Sequence, residues 1–219
     1  MLFTAQYPAY SRNPNANLFI NLLTRIYISM CTLIIDNYDS FTYNLYHLLL
    51  SAAPKNERFD VLKNDEITPS TLLKYHRIVA SPGPGVPAEA GNLLHIFHTI
   101  ENKVPYLGIC LGHQAFAEAY GAKLYQLSHP IHGGTTKVNI NTHSPLFKQM
   151  KSEITVARYH SWAVEKENLP HELEMVSATN DGMIMALQHK KYPLFGVQFH
   201  PESFMTPNGL QMLQNFYTI

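Results

Sequence analysis

The residue with the clearest chemical context is Cys110, which stands between Gly108 and Gly112 where an apolar run gives way to a helical pattern. A G-x-C-x-G segment between a strand and a helix is the cysteine counterpart of the G-x-S-x-G turn that presents a nucleophile. The positive end of the following helix would point at the sulfur and favour the reactive thiolate. A lone cysteine is more often a small buried hydrophobic residue. This context instead predicts a nucleophile, with the backbone N–H of Leu111 as a donor to an oxyanion.

A cysteine nucleophile needs a nearby imidazole and an acceptor that orients it. Among the 12 histidines, His200 is distinguished by Glu202 two positions later, at the end of a strand predicted over residues 194–199. Because Pro201 disfavours helix at the residue before it, we expect an extended segment with both side chains on one face. The residues alone fit equally well with a polar strand end that enters a surface turn. His113 is expected to point away from the thiol.

A third segment, Ser81-Pro-Gly-Pro-Gly85, follows a predicted strand. Its prolines lack N–H donors and it has no Lys-Ser/Thr end, so it is not a phosphate-binding loop. It can present the amides of Gly83 and Gly85 to an oxyanion beside the cysteine, although an ordinary loop explains the segment as well. The segment 158–162 holds the only tryptophan, whose simplest explanation is packing in the core.

The first half of the chain alternates short β-branched runs with helical stretches. Strands are predicted at residues 32–35, 59–62, 77–80 and 104–109. Asp39 or Ser40 is expected to cap the first helix, whose apolar face includes Phe41 and Leu45, and a second helix is expected at 111–120. Strands joined by helical crossovers form a mostly parallel sheet with both faces covered.

Beyond residue 123 the pattern changes, because strands follow one another with few helices between them. These strands are predicted at residues 136–140, 173–178, 184–188 and 194–199. They indicate a small antiparallel extension of the parallel sheet, and a last helix is predicted at 209–216. The chain is therefore an α/β protein with one domain, residues 30–219, preceded by an N-terminal extension of uncertain status, residues 1–29.

The composition excludes several classes of protein. In 219 residues, 16 basic side chains balance 16 acidic ones, so neither a nucleic acid nor an anionic membrane is an expected partner. No apolar run approaches the roughly 20 residues that span a bilayer. The two cysteines, Cys31 and Cys110, do not form a disulfide framework, and we expect a reducing, cytoplasmic location.

Together these segments resemble the class I, or triad, glutamine amidotransferases over residues 31–219. The resemblance rests on four motifs in this order: Ser81-Pro-Gly-Pro-Gly85, Gly108-Ile-Cys-Leu-Gly-His-Gln114, Tyr159-His-Ser-Trp162 and His200-Pro-Glu-Ser203. It implies a flavodoxin-like α/β fold and a catalytic triad of Cys110, His200 and Glu202. It also implies a glutamine site, with the amides of Gly85 and Leu111 as the oxyanion hole. That site would be lined by Gly83, Pro84, Gly85, Leu111, Gln114, Ser161 and Trp162.

The opening segment Asp36-Asn-Tyr-Asp-Ser-Phe-Thr-Tyr-Asn44 is similar to the chorismate-linked members, the small subunits of anthranilate synthase and aminodeoxychorismate synthase. The resemblance implies a glutaminase with no metal or cofactor of its own. Its ammonia would serve a chorismate-binding synthase subunit, which would hold the magnesium. The likeness around residues 158–162 favours anthranilate synthase, in tryptophan biosynthesis, over the folate enzyme, and a subunit shared by both stays open.

Two further hypotheses remain. A γ-glutamyl hydrolase could use the same triad, but the opening segment 36–44 and the short chain fit it less well. A non-catalytic regulatory module could keep the fold, but it has no chemical reason to keep Cys110, His200 and Glu202 together. The chain also departs from the family's common pattern at Gly134, where many members have lysine, and at Trp162, where many have leucine. Both departures bear on partner contact rather than on the triad.

Overall fold

The computed structural model describes residues 30–100 and 104–219. The predicted N-terminal extension, residues 1–29, lies outside these ranges, so the division of the chain stays a prediction. Within the two described ranges, no helix combines the length and the apolar character needed to cross a bilayer.

The described residues contain eleven strands, nine of which form one mixed sheet. The strands are β1 Cys31–Asp36, β2 Arg58–Lys63, β3 Arg77–Ala80, β4 Tyr106–Ile109, β5 Leu124–Gln126, β6 Gly134–Ile140, β7 Glu153–Arg158, β8 Trp162–Val164, β9 Leu173–Thr179, β10 Ile184–His189 and β11 Leu194–Val197. The order in the large sheet is β2-β1-β3-β4-β11-β10-β9-β6-β7. The first five strands of that order run parallel, and the remaining pairs are antiparallel. The predicted antiparallel extension is therefore confirmed.

Helices cover both faces of the parallel strands, as predicted. They are α1 Thr42–Ala52, α2 Pro69–Leu72, α3 Phe97–Ile100, α4 Leu111–Ala119 and α5 Gly209–Phe216. Side chains of β1 alternate between the two faces, with Ile34 in a core shared with α1 and α5, and Leu33 in a core shared with α4. Each fully buried Leu, Ile or Phe stabilises the fold by about 1.5–3 kcal/mol, so both layers hold the sheet firmly.

Two local predictions near α1 are wrong. The helix begins at Thr42 and has no side-chain cap, because the carboxylate of Asp39 accepts a hydrogen bond from the backbone N–H of Phe41, at 2.8 Å, before the first turn. Phe41 itself is 52% exposed, whereas Leu45 is fully buried. Phe41 precedes the helix and so does not share the face on which Leu45 packs.

Three strands were not predicted from the sequence: β5, β7 and β8. β5 and β8 pair with each other in a separate two-stranded sheet, and β7 is the edge strand of the large one. β5 and β8 have only three residues each, too few to show an alternating pattern. β7 and β8 hold the two ends of the segment 159–161, which joins them.

The segments that carry the predicted site follow parallel strands. Residues 37–41 follow β1, the Pro-Gly loop follows β3, Cys110 follows β4, and His200 lies three residues after β11. The order of the parallel strands, β2-β1-β3-β4-β11, is the 2-1-3-4-5 order of a doubly wound, flavodoxin-like sheet. In such sheets ligands bind outside the carboxyl ends of the strands, which is where these four segments meet.

Candidate active site

Cys110 occupies a strained turn between β4 and α4. Its backbone dihedrals are φ 50° and ψ −97°, in a region that residues with a Cβ rarely adopt. Such strain persists only where the surrounding structure imposes it, and it is concentrated at functional sites. The N–H of Cys110 donates to the carbonyl of Val197, at 2.8 Å, which ties the turn to β11. The tight strand-to-helix turn predicted at Cys110 is present, and the role of Cys110 as a nucleophile stays a prediction.

Close packing explains the glycines on either side of the cysteine. A Cβ on Gly108 would lie 2.3 Å from the carbonyl carbon and oxygen of Gly112, and a Cβ on Gly112 would lie 2.8 Å from the Cβ of Ala80. Neither position can hold a larger residue without moving the backbone. The spacing of the two glycines therefore sets how tightly α4 folds back on β4 and β3.

His200 and Glu202 form a buried pair, with 2.7 Å between Nδ1 of the imidazole and Oε1 of the carboxylate. The route to this contact differs from the prediction. The strand ends at Val197 rather than at residue 199, and Pro201 and Glu202 lie in a turn rather than in an extended segment. The backbone of His200 is held by the carbonyl of Ala157, which accepts its N–H at 3.1 Å.

The second nitrogen of His200 is available for chemistry. Nε2 is buried, and it forms no hydrogen bond with any residue of the ranges 30–100 and 104–219. Burial by itself lowers the pKa of His200, but its interactions with Cys110 and Glu202 outweigh burial and raise the pKa from 6.5 to about 10. The raised pKa therefore favours an imidazolium at neutral pH, in the same cavity as Cys110.

Cys110 lies between two cavities. The smaller, of about 210 Å³, is lined by Gly83, Pro84, Gly85, Cys110, Gln114, Tyr159, His160, Ser161 and Trp162. Six of the seven predicted glutamine contacts are in this set. The seventh, Leu111, is the first residue of α4, and its side chain is buried.

The larger cavity, of about 410 Å³, holds the imidazole and the carboxylate. It is lined by Asp39, Ser40, Phe41, Asn44, Pro82, Gly83, Cys110, Tyr159, His200, Glu202, Ser203 and Phe204. Phe204 is 91% exposed at its mouth. The two cavities share Cys110, Gly83 and Tyr159, so the sulfur can contact a molecule bound in the smaller one while His200 acts from the larger one.

No role was predicted from the sequence for two residues near Cys110 and His200, although Tyr159 belongs to one of the four motifs. Gln198 is fully buried, and its Nε2 donates to the sulfur of Cys110 at 3.4 Å. Tyr159 meets the ring of His200 edge to face, with 5.0 Å between ring centres. A glutamine placed two residues before His200 in an apolar run was the available signal. His113, as predicted, takes no part in this cluster, since it is fully buried against Gly196.

Comparison with known proteins decides the family. The family model described as Glutamine amidotransferase class-I matches residues 33–219. This chain belongs to that family. The resemblance seen in the motifs is therefore confirmed over nearly all of the described chain.

Two relatives match this glutamine amidotransferase along almost their whole length. Anthranilate synthase component 2 of Cyanophora paradoxa is 45% identical over 189 residues, which cover 84% of this chain and 96% of the relative. Aminodeoxychorismate synthase component 2 of Escherichia coli K12 is 40% identical over 188 residues, which cover 84% of this chain and 97% of that relative. The Bifunctional protein TrpGD of Thermotoga maritima is 42% identical, but this chain spans only 32% of it.

Solved structures share the fold of this glutamine amidotransferase. A protein of Thermoplasma acidophilum, provisionally named as a subunit of GMP synthase, superposes with a TM-score of 0.76 at 28% sequence identity. The superposition covers 87% of this chain and 93% of the Thermoplasma chain. A glutamine amidotransferase of Thermotoga maritima superposes with a TM-score of 0.62 at 20% sequence identity, over 87% of this chain and 83% of the Thermotoga chain. At that identity it supports the fold alone. The predicted flavodoxin-like architecture is confirmed.

A metal centre was not expected in this amidotransferase. Across residues 30–100 and 104–219, no three His, Cys, Asp or Glu side chains are grouped so that they could hold a metal ion. That the protein needs neither metal nor cofactor stays a prediction.

Proposed function

We propose that this chain is the glutaminase subunit of a chorismate-using synthase, and that Cys110, His200 and Glu202 form its catalytic triad. One observation carries the proposal. The imidazole of His200 is fixed through Nδ1 by Glu202, at 2.7 Å, and its buried Nε2 has no other hydrogen-bond partner among the described residues, in a cavity that also contains Cys110. A base oriented by a carboxylate beside a cysteine in a strained turn is the arrangement that acyl transfer requires.

The first half of the reaction forms a thioester. The thiolate of Cys110 attacks the side-chain amide carbon of glutamine, and the N–H groups of Leu111 and Gly85 stabilise the oxyanion. One donor in such a hole contributes about 2.7–4 kcal/mol to transition-state stabilisation. The imidazolium of His200 gives its Nε2 proton to the amide nitrogen, the carbon–nitrogen bond breaks, and ammonia leaves.

The second half releases glutamate. Neutral His200 takes a proton from a water molecule as the water oxygen attacks the thioester carbon. The carbon–sulfur bond then breaks, which restores the thiolate and the imidazolium, and the new carboxylic acid loses its proton to solvent. The high pKa of His200, about 10, supports an imidazolium that can protonate the departing nitrogen.

The partner is proposed from the names of the relatives and from the surface around the larger cavity. Both full-length relatives are named as second components of synthases. Exposed Phe41 and Phe204 stand at the mouth of the cavity that contains Cys110, where a partner could cover them and receive ammonia. We propose a large subunit that binds chorismate and magnesium, and we favour anthranilate synthase.

Aminodeoxychorismate synthase is the second candidate, because identities of 45% and 40% to the two relatives are too close to separate the pathways. The test is glutamate release from glutamine by the purified chain, mixed in turn with each large subunit, with and without chorismate. We expect stimulation by the large subunit of anthranilate synthase. Stimulation only by the one from aminodeoxychorismate synthase would move the chain to the folate pathway, and stimulation by both would make it a shared subunit. No glutamate from a complex shown to form would contradict the glutaminase proposal.

A further inference from the structure

A line of buried amide groups connects the smaller cavity to the nucleophile. The amide nitrogen of Gln114 donates to the backbone carbonyl of Trp162, at 2.9 Å, and to Oε1 of Gln198, at 3.1 Å. Nε2 of Gln198 in turn donates to the sulfur of Cys110, at 3.4 Å. Gln114 and Gln198 are 3% and 0% exposed, so water does not compete for these bonds.

The carbonyl of Trp162 determines which way each amide faces. A backbone carbonyl can only accept hydrogen bonds, so Gln114 must turn its nitrogen toward it. The same nitrogen then faces Gln198, which must present its oxygen there and its own nitrogen to the sulfur. The opposite orientation of Gln198 would place two donors against each other, so the assignment follows from the network.

The other side of the Trp162 carbonyl is also occupied by a donor. Nδ1 of His160 lies 2.8 Å from that oxygen, and Nε2 of His160 accepts from Nε of Arg158 at 3.1 Å. An imidazole that accepts at Nε2 and donates at Nδ1 is neutral, and burial lowers the pKa of His160 to about 4, in agreement. The donor of every bond is therefore determined: His160 and Gln114 both donate to the carbonyl of Trp162, and from Gln114 the bonds run through Gln198 to the sulfur.

We propose that Gln198 is a fourth catalytic residue, which donates a hydrogen bond to the thiolate of Cys110 and holds the sulfur in place for attack, while Gln114 and Trp162 keep Gln198 in the orientation that does so. A donor to an ionised group favours the charged form and makes a stronger bond than one to a neutral group. The proposal rests on the proposed function only in taking Cys110 as the nucleophile.

Replacing Gln198 by glutamate separates this function from simple packing. Gln198→Glu keeps the size of the side chain and an oxygen for Gln114, but it places an acceptor instead of a donor against the sulfur. Gln198→Met, similar in length and without any donor, is the second variant. Gln214→Glu on the exposed side of α5 is the matched control. The titratable groups that share the two cavities with the sulfur are unchanged in all three: Asp39, Tyr159, His160, His200 and Glu202.

The experiment measures alkylation of Cys110 by iodoacetamide as a function of pH, with the site of modification identified by mass spectrometry. It needs neither glutamine nor a partner, so it is informative even if the glutaminase proposal fails. We expect both Gln198 variants to react about tenfold more slowly at neutral pH, with a profile moved to higher pH, and Gln214→Glu to match the wild type. In the active complex, kcat for glutamine should fall while KM stays nearly constant. A folded Gln198→Glu protein with the wild-type alkylation profile would overturn the proposal, and so would a folded Gln198→Met protein with that profile.

Discussion

At the scale of single residues, three buried histidines differ in what surrounds them. Burial lowers the pKa of His113 to about 3 and that of His160 to about 4, because neither ring has a carboxylate to offset desolvation. His200 is also buried, which by itself lowers its pKa, yet interactions with Cys110 and Glu202 outweigh burial and raise the pKa to about 10. The same side chain is thus kept neutral at two positions and charged at the third, which is the one that the proposed mechanism uses as a proton donor.

These shifts predict a maximum of stability near neutral pH. Below pH 6.5 the unfolded chain binds protons at His113 and His160 and the folded chain does not, so the free energy of unfolding falls as the pH drops. From pH 6.5 to 5 the loss is about 2 kcal/mol for each ring. His200 stabilises the fold because its pKa is higher in the folded chain than in the unfolded one. Its contribution to the free energy of unfolding is complete below pH 6.5 and is lost as the pH rises toward 10.

Urea unfolding at pH 5, 7 and 9 measures this dependence in a range above the ordinary pKa of carboxylates. His160→Gln should reduce the loss between pH 7 and 5, whereas His129→Gln, at an exposed position, should not. Equal free energies of unfolding at pH 5 and 7 would show that the two rings are not held neutral by the fold.

At the scale of elements, the junction of β4 and α4 could be predicted from sequence because its signal is local. Gly108, Cys110 and Gly112 lie within five positions, between an apolar run and a helical pattern. The position of His200 could be predicted only in part. Its pairing with Glu202 followed from the spacing, but its backbone is held by β7, an edge strand that was not predicted from the sequence.

The hydrogen bonds that orient Gln198 could not be predicted, since they join it directly to Gln114, 84 positions away, and Gln114 is itself oriented by the backbone carbonyl of Trp162. Sequence motifs identify which side chains are present. They do not show which amide group faces which neighbour, because that depends on how α4, β8 and the segment after β11 pack together.

The tight turn predicts that Gly108→Ala displaces Cys110, the proposed nucleophile. The new Cβ would lie 2.3 Å from the backbone of Gly112, so α4 must shift, at a cost of about 1–3 kcal/mol or more in unfolding free energy. Glutaminase activity should fall further than stability explains, since the shift also moves Cys110. The matched control is Gly134→Ala, whose Cβ would meet its nearest neighbour at an ordinary 3.9 Å. Urea unfolding and glutamate release compare the two, and equal behaviour would contradict this account of the turn.

At the scale of the whole molecule, the sheet order places the chemistry. Four segments that follow β1, β3, β4 and β11 meet at the carboxyl ends of these parallel strands. The antiparallel extension brings the segment 159–161 to the same place. Cys110 therefore lies between a small cavity, which six of the seven predicted glutamine contacts line, and a larger one that includes the exposed Phe204. This arrangement suits an enzyme that takes glutamine from one side and gives ammonia to a partner on the other.

One measurement tests most directly whether Cys110 releases ammonia from glutamine for use by a synthase. Product formation by the complex with its large subunit is followed with glutamine and, separately, with ammonium as the nitrogen source, for Cys110→Ala and for the matched variant Cys31→Ala, which alters the other buried cysteine. We predict that Cys110→Ala abolishes the glutamine-dependent reaction and keeps the ammonium-dependent one, while Cys31→Ala keeps both. Glutamine-dependent synthesis at the wild-type rate by Cys110→Ala would contradict the account.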